Sequence, residues 1–200
     1  MMRIAALASH GGSILQAVID AIETGTLDAE LVLIASNNSN AHALQRAGQH
    51  NIPTIHLSSQ THPNPEALDA AMAEAFTSAQ AQWLLLAGYM KKLGPTTLTA
   101  FHRRILNTHP SLLPKYGGKG YYGIRVHEAV LAAGERETGA TVHLVEDDYD
   151  TGPIVSQVRV RVKAQDSVEA LQERVKAAER KLIVTTLAQL AESREAAGYS

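Results

Sequence analysis

Three short runs, "RIAALA" (3–8), "AELVLIAS" (29–36) and "QWLLLAGY" (82–89), are apolar at almost every position and show no alternation that would leave one face to water. A strand can be apolar on both faces only if both are covered, and the parallel sheet of an α/β domain provides that cover. The intervening segments have the right period for it. In "SILQAVIDAIETG" (13–25), Ile14, Leu15, Val18, Ile19 and Ile22 recur at helical spacing and the pattern stops at Gly25. "AHALQRAGQHN" (41–51) and "PEALDAAMAEAFTS" (65–78) read as further helices, with "PTIHL" (53–57) as a short strand between them. "RRILNTH" (103–109) adds a strand, whereas "GATVHLVED" (139–147) and "GPIVSQVRVRV" (152–162) alternate and are expected to be partly solvated. From Ser167 to about Ala197, Val168, Leu171, Val175, Leu182, Leu187 and Leu190 mark one long closing helix capped by Ser167. The expected fold is α/β: an open, mostly parallel, Rossmann-like central sheet with helices on both faces and a long C-terminal helix. Residues 1–200 show no repeat, low-complexity segment or linker, so a single domain is expected.

Composition narrows the function classes. A chain of 200 residues with 45% hydrophobic content is long enough to bury about 70% of its unfolded surface. A formal charge of -2 and no Lys/Arg cluster larger than a pair leave no basic face, so nucleic acid is not an expected partner. The absence of cysteine excludes disulfides, a thiolate nucleophile and a cysteine-held metal, and suits a cytoplasmic location. The opening "MMRIAALASHGG" has too short an apolar stretch for a signal segment or membrane span, so no membrane association is expected.

The first turn, "ALASHGGSILQ", places Gly11, Gly12 and Ser13 between a buried strand and a helix. Unpaired N–H groups and the helix dipole make such a start an anion site, suited to a phosphate. The alternative is a tight turn with no ligand. A nicotinamide cofactor is not expected, because the turn lacks the G-x-G-x-x-G pattern and strand two ends in "SNN" (36–38), not in an acid.

The stretch "ILNTHPSLLPKYGGKGYYGIRVHEAV" (105–130) places Asn107 and His109 at the C-terminal end of a strand, the edge at which open α/β sheets bind ligands. A spacing of two on an extended chain sends both side chains to one face. An amide can donate to a developing oxyanion, and an imidazole can act as donor, acid or base near neutral pH. A satisfied structural histidine is the competing reading. The turn "EDDYDTGP" (146–153) gathers Glu146, Asp147, Asp148 and Asp150 without the spacing of a calcium loop or a zinc site, so no metal is expected. An acid that orients a catalytic histidine is the better functional reading of this turn.

These segments together resemble the folate-dependent formyltransferases. The resemblance spans nearly the whole chain and rests on the Ser9–Ser13 turn, "LAGYMKKLGP" (86–95), "ILNTHPSLLPKY" (105–116), "VHEAVLAAGERETGATVHLV" (126–145) and "DTGPIVSQ" (150–157), in the family's order. It implies transfer of a formyl group from the co-substrate 10-formyltetrahydrofolate to the amine of 5-phosphoribosyl-glycinamide in de novo purine (IMP) biosynthesis, without metal. It further implies Asn107, His109 and Asp150 as catalytic residues, with protonated His109 and Asn107 stabilising the oxyanion and Asp150 holding His109 charged. The family's phosphate site maps to Gly12, Ser13 and Ile14 and its substrate-contacting glutamate to Glu179, four residues after Val175. The folate would lie against Met90, Lys91, Lys92, Leu93, Asn107 and the loop 143–150. Both implied partners are small molecules, and a homodimer is left open. Three departures stand out: Ile14 where the family turn usually has Asn, with His10 for a small residue; Pro65 where an arginine often lies near the donor's acidic tail; and a longer 117–125 segment. A hydrolase using water in place of the amine, and an idle binding module, are the rival readings. All three catalytic positions are present, against the idle module, and the phosphate turn and Glu179 favour an amine over water.

Overall fold

In the computed structural model, which describes the backbone of residues 1–196 and the side chains of residues 1–193, the apolar runs become the centre of one sheet. β1 (Met2–Leu7), β2 (Ala29–Ser36), β3 (Thr54–His56), β4 (Trp83–Leu86) and β5 (Ile105–His109) are parallel. β6 (Glu137–Leu144) is antiparallel to β5 and β7 (Ile154–Arg161) antiparallel to β6, giving the order β3-β2-β1-β4-β5-β6-β7. The chain therefore steps outward from β1 to β3 and then returns to the other side of β1. The crevice outside the C-terminal ends of β1 and β4 is the switch point at which such sheets bind ligands.

Residue alternation sorts the core into two layers. On one face Ile4, Ala6, Leu85 and Leu106 pack against α1 (Ser13–Glu23) and α6 (Val168–Ala196) through Leu15, Val18, Ile183 and Leu187. On the other face Ala5, Leu7, Leu84 and Ile105 meet Met72 and Phe76 of α3 (Pro65–Ser78), and Phe101, whose ring stands edge-on to Phe76 at 6.2 Å. Along α6 every fourth residue from Leu171 to Ala191 is buried. Glu179 falls within this stripe, not beside it. Ser167 caps α6, accepting from the Ala170 N–H at 3.1 Å; Ala197, the expected end of this helix, lies outside the described residues.

The structure differs from the sequence reading at three places. β6 is buried over all but its ends, not partly solvated: α6 covers one face, and the loop after β5 lies so close to the other that a Cβ on Gly139 would come within 2.6 Å of the Leu112 side chain. β4 ends at Leu86 because the chain turns at Gly88, where φ is +76°. Two helices, α4 (Pro95–Ala100) and α5 (Ile124–Ala132), carry no clear periodic signal. The start of α4 is completed from another helix: Asp69 on α3 accepts from the N–H groups of Thr96 (2.7 Å) and Thr97 (3.0 Å) and from the Thr97 hydroxyl (2.6 Å). Burial would raise the Asp69 pKa, but these hydrogen bonds outweigh it and hold the carboxyl below its ordinary range.

α1 starts from Gly12, at φ 69° and ψ 36°, and a Cβ there would lie 2.9 Å from the Cβ of Ala43 on α2 (His42–Gln49). Both the left-handed backbone and the close approach of α2 demand glycine. Gly12→Ala should lower stability by about 1–3 kcal/mol. Gly11→Ala, which enters open space, should change it by less than about 0.5 kcal/mol. Urea midpoints of the two variants check this, and equal losses would contradict the reading of the turn.

Candidate active site

The site begins where β5 ends. Asn107 and His143 are directly opposed across the β5–β6 ladder, and so are His109 and Thr141. The Asn107 amide donates to Nε2 of His143 at 3.1 Å, while Nδ1 of His143 donates to the Leu144 carbonyl at 2.8 Å. His109 is 4% exposed; its Nε2 donates to the Tyr116 carbonyl at 2.7 Å, and its Nδ1 lies 3.4 Å from Oδ2 of Asp150. The other carboxylate oxygen of Asp150 is 3.4 Å from Nε2 of His143. The sheet edge thus brings together all three expected catalytic residues and adds a second histidine.

The loop after His109 is held by polar contacts from the neighbouring strands. Thr141 donates to the Ser111 carbonyl (2.7 Å) and accepts from the Leu113 N–H (3.1 Å), while Gln157 on β7 donates to the Leu113 carbonyl (3.0 Å). Ser111 in turn donates to the Lys115 carbonyl at 2.6 Å. This wiring brings the Tyr116 carbonyl to His109. Asp150, at φ 56°, closes the site by accepting from the Gly118 N–H at 2.9 Å. Gly152 permits the turn that presents it, since a Cβ there would meet the Leu144 carbonyl at 1.9 Å.

Burial sets the charge balance. It pushes His109 below the ordinary histidine range, against the upward pull of Asp150 and the Tyr116 carbonyl, with His143 adding to the downward side. The free site therefore does not hold His109 as strongly charged as the family resemblance implies. Burial also raises the Asp150 pKa, but His143, His109 and the Gly118 N–H outweigh it and keep the carboxyl below its usual range.

A cleft on the α3 side of β5 is walled by Tyr89, Lys91, Lys92, Leu93, Asn107 and the 145–150 loop. Four of the five expected folate-side residues line it. Met90 does not: it projects outward at 43% exposure, although its N–H is held by the Ser9 hydroxyl at 2.8 Å. Lys92 pairs with Asp148 at 3.3 Å and lies over the Tyr149 ring at 5.9 Å, clasping the loop across the cleft. Burial raises the Tyr89 hydroxyl to about 12. Pro65, in place of the family's arginine, is the first residue of α3 behind the Asn64 cap.

On the opposite face, Ser13 and the α6 segment with Ala177 and Arg180 border one groove. Ile14 is 7% exposed and belongs to the core, so only its backbone can serve a ligand. Arg46 braces the turn, donating to the Gly11 carbonyl at 2.9 Å and to Gln16 at 2.8 Å. Glu179 is buried; burial raises its pKa, partly offset by the nearby Thr108 hydroxyl, Lys176 and Arg180. Among the described residues, no group of three or more His, Cys, Asp or Glu side chains could hold a metal ion, and no helix is long and apolar enough to cross a membrane.

Sequence reasoning gave no role to Thr141, Gln157, Tyr89, Arg46 or His127, and had His143 only as the first residue of the expected folate loop. His143 and Thr141 were legible in principle, because an antiparallel partner of "NTH" must present alternate residues to it. His127, 1% exposed on α5, stands in the 126–145 motif but was given no role there.

An α/β protein with a cleft of mixed polar and apolar lining on one side of a central strand end and a glycine turn at a helix start on the other has the architecture of open sheets that bind ligands at a switch point. Within it, the chain belongs to the Formyl transferase family, whose family model matches residues 2–187. It is similar to the chloroplastic phosphoribosylglycinamide formyltransferase of Vigna unguiculata, with 38% identity over 193 residues covering 96% of this chain and 62% of that protein. The phosphoribosylglycinamide formyltransferase of Haemophilus influenzae is 37% identical over 176 residues, covering 88% of this chain and 81% of that one. The crystal structure of glycinamide ribonucleotide transformylase 1 from Symbiobacterium toebii superposes with a TM-score of 0.90 at 35% identity, covering 97% of this chain and 89% of that one. The chain thus spans less than two thirds of the plant relative's length.

His127 yields a stability prediction. Burial, assisted by Lys176 and His109, lowers its pKa from the ordinary 6.5 to about 4. The unfolded chain then binds the proton more readily, so this contribution to stability is complete above pH 6.5 and is lost as pH falls toward 4. His127→Leu should show a shallower loss of stability than wild type across that window in urea titrations. Parallel curves would place the titration elsewhere.

Proposed function

We propose that the chain transfers the formyl group of 10-formyltetrahydrofolate to the amine of 5-phosphoribosyl-glycinamide, the reaction of glycinamide ribonucleotide transformylase in purine biosynthesis. The observation that carries this is the convergence of Asn107, His109 and Asp150 at the strand end dividing the two ligand sides. The donor's ring system enters the cleft beside Lys91, Lys92 and Leu93, and the phosphate sits on the backbone of Gly12, Ser13 and Ile14. Glu179 meets the substrate from α6. Both ligands are small molecules, the location is cytoplasmic, and no metal, nucleic acid or membrane takes part.

The chemistry follows from the donors. One Asn107 N–H is engaged by His143, and the second donates to the formyl oxygen as the amine attacks and negative charge develops there. That charge raises the proton affinity of His109, whose two nitrogens already face acceptors in the Tyr116 carbonyl and Asp150. As that charge develops His109 takes up a proton from solvent and becomes imidazolium, and releases it again when the carbonyl re-forms. Asp150 orients it and, through water, moves the proton from the attacking amine to the departing folate nitrogen as the carbonyl re-forms. Donor consumption measured with and without the amine tests the proposal. Consumption that ignores the amine would support the hydrolase reading. Full activity in excess chelator is also expected; a loss restored by Mg²⁺ or Zn²⁺ would mean that the acids at 146–150 hold a metal.

Asp150 acts through His109, so the two residues should behave as one unit. His109→Ala should lower the chemical step by about 10²–10⁴-fold with substrate affinity changed only several-fold. Asp150→Asn should resemble it, and the double mutant should be little worse than the poorer single. Because Asp150 pulls the His109 pKa upward, Asp150→Asn should move the activity profile toward lower pH. Kinetics of the three variants across pH decide it; strictly multiplicative losses without a pH shift would separate the aspartate from the histidine.

A further inference from the structure

The turn that starts α1 is shaped by α2 and heads an open groove. The Ala43 N–H donates to the His10 carbonyl at 3.1 Å, and Arg46 donates through Nε to the Gly11 carbonyl (2.9 Å) and through Nη1 to Gln16 (2.8 Å). No side chain caps the helix, and its first turn holds no acidic residue. The groove is lined by Ser13, Gln16 and Asp20 of α1, by Arg46 of α2, and by Arg180 and Lys181 of α6.

Charge along this groove is uneven. Asp20 lies two turns beyond Ser13, about 10 Å along the helix, and its carboxylate already accepts from the Gln16 amide at 2.8 Å. Arg46 is fixed at the Ser13 end by its bonds to Gly11 and Gln16. Arg180 follows Glu179, whose neighbour Thr108 marks the C-terminal end of β5. β1, β4 and β5 are parallel, so the turn into α1 rises from that same edge of the sheet. Arg180 is half-buried, yet it makes no hydrogen bond or salt bridge among the described residues. A cation held in a groove without a counter-charge is suited to receive an anion.

We propose that Arg180, with Arg46 beside it, binds the phosphate of the phosphorylated amine and makes the site selective for a substrate that carries one. This assignment rests on the function proposed above, in which the phosphate lies on the backbone of Gly12, Ser13 and Ile14. A phosphate monoester carries about -1.5 to -2 charges near neutral pH. The helix start opposes that with about half a positive charge. Ile14 belongs to the core and adds no side-chain donor. Arginine stays protonated and presents a planar fork that can donate two parallel N–H groups to phosphate oxygens. Arg46 uses Nε and Nη1 to hold the turn, and its Nη2 makes no hydrogen bond among the described residues.

Because Arg180 has no partner to lose, Arg180→Gln should leave the melting temperature of the free protein within about 2 °C of wild type. Ribose 5-phosphate, but not ribose, should raise the melting temperature of wild type, and that shift should shrink or vanish in Arg180→Gln. The KM for the phosphorylated amine should rise about 10- to 100-fold, with kcat within about threefold and the KM for the folate donor unchanged. Turnover of the same amine without its phosphate should be unaffected, so the preference for the phosphorylated form falls by the same factor. Arg180→Lys, which keeps the charge and loses the fork, should recover part of the binding. An Arg180→Gln protein that keeps the wild-type KM, preference and ribose 5-phosphate shift overturns the assignment even if the proposed reaction is confirmed. A wild type that forms no product from the amine overturns the proposed function, while a ribose 5-phosphate shift lost in Arg180→Gln would still assign the phosphate contact. Equal shifts with ribose and ribose 5-phosphate, or none with either, would overturn that contact.

Discussion

The site depends on one carboxylate. Asp150 is held in the left-handed region, where aspartate is among the few residues that tolerate it, and its two oxygens reach His109, His143 and the Gly118 N–H. Those three groups come from β5, β6 and the loop that follows β5. A buried charge of this kind is costly unless its lone pairs are used, and here each oxygen has a partner. The same carboxylate thus fixes the histidine, joins it to the Asn107–His143 pair and ties down the start of the 117–123 segment.

What separates the two ligand sides is the pleat of β5. Asn107 faces the cleft, and Thr108, one residue on, faces α6 and Glu179. In the proposed reaction the formyl oxygen and the attacking amine would therefore approach one strand end from opposite faces without competing for room. The switch point supplies the rest: Ser9, at the end of β1, takes its backbone partner from Gly88, while its hydroxyl donates to Asn37 at 2.7 Å and accepts from the Met90 N–H. The walls of the two sides are thereby connected through a single buried serine.

Much of this was legible in the sequence where local physics decides the outcome. β2 and α3 have the bounds that their apolar patterns predict, and the four-residue step from Val175 allows Glu179 the inward position it takes. Legibility failed where distant residues supply the missing partners. α4 has six residues rich in threonine and stands because Asp69, on another helix, completes its start. β6 alternates like a half-wet strand, yet a glycine lets a loop lie on its second face. The Thr141–Gln157 brace behind His109 is of the same kind, since nothing near either residue in sequence announces the loop they hold.

The three buried histidines show how environment, not residue type, assigns the task. Burial works against charge in His109 and His127 alike. His109 differs because a carboxylate and a carbonyl oppose that burial, leaving its proton affinity free to respond to an oxyanion. His127 has only Lys176 and His109 acting on it, both against protonation, so it remains a neutral acceptor. One imidazole is thus suited to respond to developing charge, while the other stays neutral inside the core. Exchanging their surroundings would exchange their roles, because the distinction rests on whether an acid faces the ring.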